Sequence, residues 1–191
     1  MLKKELRKQM KIFRDGMSAD ERFRLSQKIA EKLFTTKEYT DAENILIFVS
    51  YGSEIDTLPI IQNAIDTGKN VAVPRIDIED ENKVMNFYRI NSLDELVPGF
   101  YGIPEPDESH TIPCEPKDAL VIVPGLVFDK NMYRIGYGGG FYDKYLSEQG
   151  RKNYKKLAVA FDFQVLKEGF IEPDANDIPV DMIITEKTEY C

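Results

Sequence analysis

The chain has 191 residues, 42% of them hydrophobic and 30% charged, which suits a folded soluble protein with one sizeable core. Its net charge of -8, with no offsetting basic stripe, excludes a surface built to hold nucleic acid. No apolar run reaches the length of about 18 residues that a membrane span needs, and the two cysteines, Cys114 and Cys191, make no disulfide framework, so a cytoplasmic setting is expected.

The N-terminal stretch MLKKELRKQMKIF is basic but has no continuous apolar segment after it, so it is not read as a secretory signal. Leu2, Leu6, Met10 and Phe13 give one apolar stripe at helical spacing, closed by Asp15-Gly16. Ser18 to Glu21 has the pattern of a capping box, opening a second helix to about Phe34 with Phe23, Ile29, Ala30 and Leu33 on its buried face. Asn44 to Val49 and Val71 to Val73 read as strands, joined by a helix that starts at Thr57-Leu-Pro59 and stops at Gly68. Further strands are expected at 84–88, 119–123, 156–160 and 182–184. Near-continuous apolar strands joined by a helical crossover predict a mostly parallel sheet covered on both faces. Residues 98–116, with five prolines and two glycines, read as a binding loop or lid. Cys114 and His110 share that loop, and both are read as surface-loop residues rather than a thiol site.

The chemistry concentrates in RIGYGGGFYDKY, residues 134–145. It follows the strand at 119–123, beyond whose carboxyl end ligands dock in open α/β sheets. Gly136, Gly138, Gly139 and Gly140 can present consecutive N–H groups, and a helix opening near Phe141 completes a phosphate cradle. Arg134 can add a charge-assisted contact to the same anion. Asp143 is of no use to bare phosphate, but fits if Mg²⁺ lies between. The segment matches neither the Walker pattern nor the dinucleotide fingerprint.

At these residues the chain closely resembles the 5-formyltetrahydrofolate cyclo-ligase family. The likeness runs through KKELR (3–7), SYGSEIDT (50–57), VPR (73–75), GFYGIPEP (99–106), VPGLVFD (123–129), RIGYGGGFYDKYL (134–146) and IPVDMIITE (178–186). It implies a single α/β domain over residues 1–191, with a three-layer α/β/α, Rossmann-like arrangement like that of sugar-phosphate isomerases and CoA-transferases. It implies an ATP- and Mg²⁺-dependent ligase that converts 5-formyltetrahydrofolate to 5,10-methenyltetrahydrofolate, ADP and phosphate. ATP phosphorylates the formyl oxygen, N10 attacks that carbon, and phosphate leaves.

The same resemblance implies that Lys3, Lys4 and Arg7 begin the ATP site, although by themselves they read as a solvated basic helix face. Arg134, Ile135, Gly136, Tyr137, Gly138, Gly139, Gly140, Phe141 and Tyr142 would hold the ATP phosphates, with Arg134, Tyr137, Gly138 and Gly139 nearest the chemistry. Tyr137 through Phe141 would also border folate, together with Val49, Glu54 and Tyr101, with Phe100 able to exchange roles with Tyr101. Asp143 and Asp181 would be the Mg²⁺ ligands, though Asp181 alone reads as a turn acid. The folate substrate, in mono- or polyglutamyl form, is the expected partner of a monomer or dimer. Two departures stand out: KNMY (130–133) lacks the glycine that many relatives carry before the arginine, and Lys144 stands where arginine is common. Rival readings are an isomerase- or transferase-like enzyme and a non-catalytic nucleotide sensor.

Overall fold

Apolar strands fold into a sheet buried on both sides because their alternate side chains enter two different cores. A computed structural model describes residues 3–77, 84–99, 102–148, 151 and 153–191. The chain runs α1 (Lys3–Asp15), α2 (Ala19–Thr35), α3 (Lys37–Asp41), β1 (Asn44–Ile47), α4 (Leu58–Asp66), β2 (Asn70–Ile76) and β3 (Met85–Ile90). It continues through β4 (Leu96–Pro98), β5 (Pro104–Pro106), β6 (Leu120–Val123), β7 (Val127–Phe128), β8 (Arg134–Ile135), α5 (Phe141–Ser147), β9 (Lys155–Val159), β10 (Met182–Ile184) and β11 (Glu189–Tyr190). The main sheet has the order β11-β10-β9-β6-β1-β2-β3. Its five central strands are parallel, and the edge strands β3 and β11 are antiparallel to their neighbours. This is the mostly parallel α/β sheet that the strand pattern predicts, in the Rossmann-like arrangement that the resemblance implies.

Ile45, Ile47, Val71, Val73, Leu120, Ile122, Leu157 and Val159 face one core with Ile29 and Leu33 of α2 and Ile60, Ile61 and Ala64 of α4. Leu46, Ala72, Val121, Val123 and Ala158 face the other, against Phe87 of β3 and Tyr145 and Leu146 of α5. A strand period of two thus produces two apolar faces rather than one apolar and one polar. Ser18 caps α2 by accepting from the N–H of Glu21 at 3.2 Å. Phe23, expected on the buried face of α2, is 54% exposed, and Ser26 is buried in the same helix.

Helix α1 differs more from its pattern. Leu6 and Met10 pack with Leu126, Val127, Ile135 and Ile171, but Phe13 is 70% exposed and Arg14 is buried; Leu2 lies outside the described residues. The proline-rich stretch contributes β5, which pairs antiparallel with β4 just before it, a ladder its prolines conceal. A second pair, β7–β8, turns through Met132 at φ 67°, so a methionine takes the left-handed position for which glycine is suited.

His110 fastens the segment after β5: its Nε2 lies 2.8 Å from Glu95 and its Nδ1 3.1 Å from Asp107. Arg75, stacked on Tyr88, donates to the carbonyls of Pro106, Asp107 and His110. The hydrogen bond to Glu95 and the second to Asp107 outweigh burial and raise the His110 pKa above its ordinary 6.5. A group whose folded pKa is raised contributes stability that is present in full below its unfolded pKa and lost as pH rises through the folded value. The melting temperature is therefore expected to fall as pH is raised above 6.5, and His110→Gln to remove that component. Melting curves of both proteins across this range check it; identical pH slopes would refute the clip. Cys114 is no partner in it, and burial pushes its thiol pKa up, away from nucleophile chemistry.

Candidate active site

The carboxyl ends of β1, β2 and β6 open into a cavity of about 1180 Å³. Phe48 and Val49 after β1, Pro74 and Ile76 in β2, and Pro124 after β6 line it, as the topology of open α/β sheets leads one to expect. Helix α1 closes one side with Lys3, Arg7, Lys11 and Arg14, a cationic stripe at spacings of four, four and three. Lys4 is exposed and does not line the cavity, because one residue's helical rotation carries it off this face. The KKELR motif ends at Arg7; the same spacing carried onward reaches Lys11 and Arg14.

The glycine segment forms the adjoining wall. Gly138 and Gly140 have φ of 106° and 66°, and Gly140 caps α5 in the left-handed region. A side chain on Gly139 would place its Cβ 2.5 Å from the Phe141 ring. These constraints fold three glycines into an exposed turn directly before a helix start. Nothing larger fits this backbone without strain.

Arg134 lines the cavity with its guanidinium already engaged. The side chain is buried, its Nη2 pairs with Asp143 Oδ1 at 2.8 Å, and its Nη1 donates to the Ile178 carbonyl. Asp143 Oδ1 also accepts from the Ile178 N–H at 3.0 Å. A single arginine therefore ties α5 to the 174–178 segment. The result brings Asp143 and Asp177 onto one wall, with Asp177 and Asp174 pairing Lys3 at 2.8 and 2.6 Å. Burial favours the neutral form of Asp177, but the hydrogen bonds from Lys3 and the Asp174 N–H, with the charges of Lys3 and Arg134, together outweigh it and hold its pKa below the ordinary 3.8.

Asp181 does not join them. It immediately precedes β10 and faces the amino end of the parallel β9, where its Oδ2 accepts from the Lys156 N–H at 2.7 Å and pairs with Lys156 Nζ at 3.1 Å. The cavity lies beyond the other end of the sheet, so the acid there is Asp177, four residues earlier. Its signal in the sequence is ANDIPVD, which offers two aspartates and no local means of choosing between them.

The remaining wall is the 51–54 turn. Glu54 accepts from the Tyr51 N–H at 2.9 Å and from the Tyr137 hydroxyl, joining this turn to the glycine segment. Burial, then the charge of Glu54, push the Tyr137 phenol up from its ordinary 10.0, so it stays a neutral donor. Tyr142 also lines the cavity, and its hydroxyl is buried without a hydrogen-bond partner among the described residues. Ile135, Gly136 and Phe141 line it as well, and Arg7 Nε donates to the Gly136 carbonyl at 2.8 Å. Tyr101 and Phe100 lie outside the described residues.

Fold and cleft together define an α/β protein with a large cavity lined by the cations of α1 and a glycine turn. The family model described as 5-formyltetrahydrofolate cyclo-ligase matches residues 1–186, and the chain belongs to that family. The 5-formyltetrahydrofolate cyclo-ligase of Mus musculus is 32% identical over 195 residues, spanning 96% of this chain and 93% of that protein. The NMR structure of Aquifex aeolicus 5,10-methenyltetrahydrofolate synthetase matches with a TM-score of 0.82 at 34% identity, over 100% of this chain and 92% of that one. The synthetase from Mycoplasma pneumoniae, at 23% identity and a TM-score of 0.71, covers 97% of this chain and 99% of that one, and shares the fold. The protein is thus an enzyme of the family its motifs resemble.

Proposed function

We propose that the protein cyclises 5-formyltetrahydrofolate to 5,10-methenyltetrahydrofolate, using ATP and Mg²⁺ and releasing ADP and phosphate. The observation that carries this reading is one cavity walled by the α1 cations, the glycine turn, two carboxylates and Glu54. A formyl oxygen is a poor leaving group until it is phosphorylated, so one site must hold a nucleotide and a folate together.

Gly138, Gly139 and Gly140 offer backbone N–H groups to phosphates, and Lys3 and Arg7 supply countercharge. Phosphates entering here would take over Lys3 from Asp174 and Asp177. Asp143 and Asp177 suit Mg²⁺ as hard oxygen donors: Arg134 and the Ile178 N–H engage Oδ1 of Asp143, while Lys3 and the Asp174 N–H engage Oδ2 of Asp177. Among the described residues no group of three or more metal-ligating side chains forms, which fits an ion that keeps waters and phosphate oxygens around it. When bound, it would supply charge neutralisation to the phosphates. Glu54 can exchange the Tyr137 hydroxyl for donors on the pterin edge, and Val49 gives that end an apolar wall. Arg134 positions both halves of this wall.

Absorbance of methenyltetrahydrofolate, followed with and without ATP, tests the proposal. Product that forms only with ATP and Mg²⁺ is expected. ATP bound without turnover would instead favour a nucleotide sensor.

A further inference from the structure

Three arginines are buried among the described residues, and two of them are paired in the usual way. Arg134 meets Asp143, and Arg151 meets Glu115 and Glu148. Arg14 is different. It is 4% exposed, yet it makes no ion pair within 4.0 Å among the described residues. Its Nε donates to the Ser53 hydroxyl at 3.0 Å, and its guanidinium stands 5.5 Å from the centre of the Tyr137 ring. Two acids in this network are already engaged. Asp15 accepts from the Ser53 hydroxyl, and Glu54 from the Tyr137 hydroxyl.

A cation removed from water without a counter-charge is costly, and buried charges are ordinarily paired. Arg14 lines the cavity, with Lys11 on the same face of α1 one turn before it. Its planar fork retains further N–H donors beyond the one given to Ser53, and a fork of this kind matches an oxyanion in two-point contact. We infer that Arg14 is a ligand-binding residue of this cavity, holding an oxyanion of the bound substrate between Tyr137 and the 51–54 turn. The inference deepens the proposed function and rests on it for the two ligands that could bring that oxyanion. One source is a phosphate of the nucleotide; the other is a carboxylate of the folate tail. Guanidinium chemistry is the same toward both.

Calorimetric titration of the parent protein and of Arg14→Gln separates the sources. The probes are inorganic tripolyphosphate, 5-formyltetrahydrofolate, and 5-formyl-6-methyltetrahydropterin, which carries no carboxylate. A melting curve establishes that the variant is folded; if it is not, Arg14→Met, which fills the space with an apolar stem, takes its place. Affinity for at least one anionic probe is expected to fall about tenfold or more. A loss confined to tripolyphosphate assigns the phosphate. A loss with the folate that is absent with the tail-less pterin assigns the carboxylate. Parent-like affinity for both anions in the folded variant overturns the inference, and so does failure of the parent to bind either. If the tripolyphosphate loss appears while the parent does not turn over 5-formyltetrahydrofolate, the functional reading fails and the Arg14 assignment stands.

Discussion

Asp129→Ala is expected to destabilise the protein by about 3 kcal/mol or more, since a hydrogen bond to a charged group contributes about 1.5–3 kcal/mol. The Asp129 carboxylate is wholly buried and serves three backbone donors: Oδ1 accepts from Asn131 and Tyr133, each at 3.0 Å, and Oδ2 from Ile171 at 2.7 Å. It also closes the turn in which Met132 holds a left-handed conformation, a geometry that costs a residue with a Cβ about 1–2 kcal/mol. That turn delivers Arg134 to the cavity wall. For a chain of this size, each kcal/mol corresponds to about 2–4 °C in melting temperature, so a drop of roughly 6 °C or more is expected. Asp129→Asn keeps one acceptor oxygen and should fall between the two proteins. An alanine variant that melts with the parent would show that water replaces the carboxylate without loss.

The second large effect concerns the acids. Asp143→Asn and Asp177→Asn should each lower turnover at limiting Mg²⁺ by about tenfold or more, with part of the loss recovered by added Mg²⁺. Asp181→Asn should leave the magnesium titration unchanged. Its carboxylate is exposed, and an ion pair to Lys156 made there is worth at most about 1 kcal/mol, so even the melting temperature should barely move. The fold should survive Asp143→Asn, because an amide oxygen can still accept from Arg134 and the Ile178 N–H. Turnover measured across a magnesium series for all three variants decides the matter. A shifted titration for Asp181→Asn beside a normal one for Asp177→Asn would reverse the assignment.

Much of this molecule is legible in its sequence. The strands at 44–47, 120–123 and 182–184 fall where apolar runs predict them, because a strand buried on both faces needs no polar alternation. The glycine segment is legible for a related reason: Gly138 and Gly140 adopt backbone angles that other residues avoid, so the requirement is written in residue type. Local geometry leaves a local signature.

The tertiary structure decided what depends on partners distant in the chain. Phe13 and Arg14 are neighbours in a stripe pattern that hydropathy alone resolves in favour of phenylalanine. Packing of α1 against β7 instead turns Arg14 inward to Ser53 and Tyr137 and leaves Phe13 in solvent. Asp177 and Asp181 are chemically identical and four residues apart. Only the pairing of β9 with β10 sends Asp181 to the amino end of the sheet, and only the Arg134–Asp143–Ile178 contacts bring Asp177 to the cavity. Residue type determines which backbone shapes are permitted and which side chains must leave water. Which charge meets which ligand follows from contacts between segments more than a hundred residues apart, such as Lys3 with Asp177, and no local pattern encodes them.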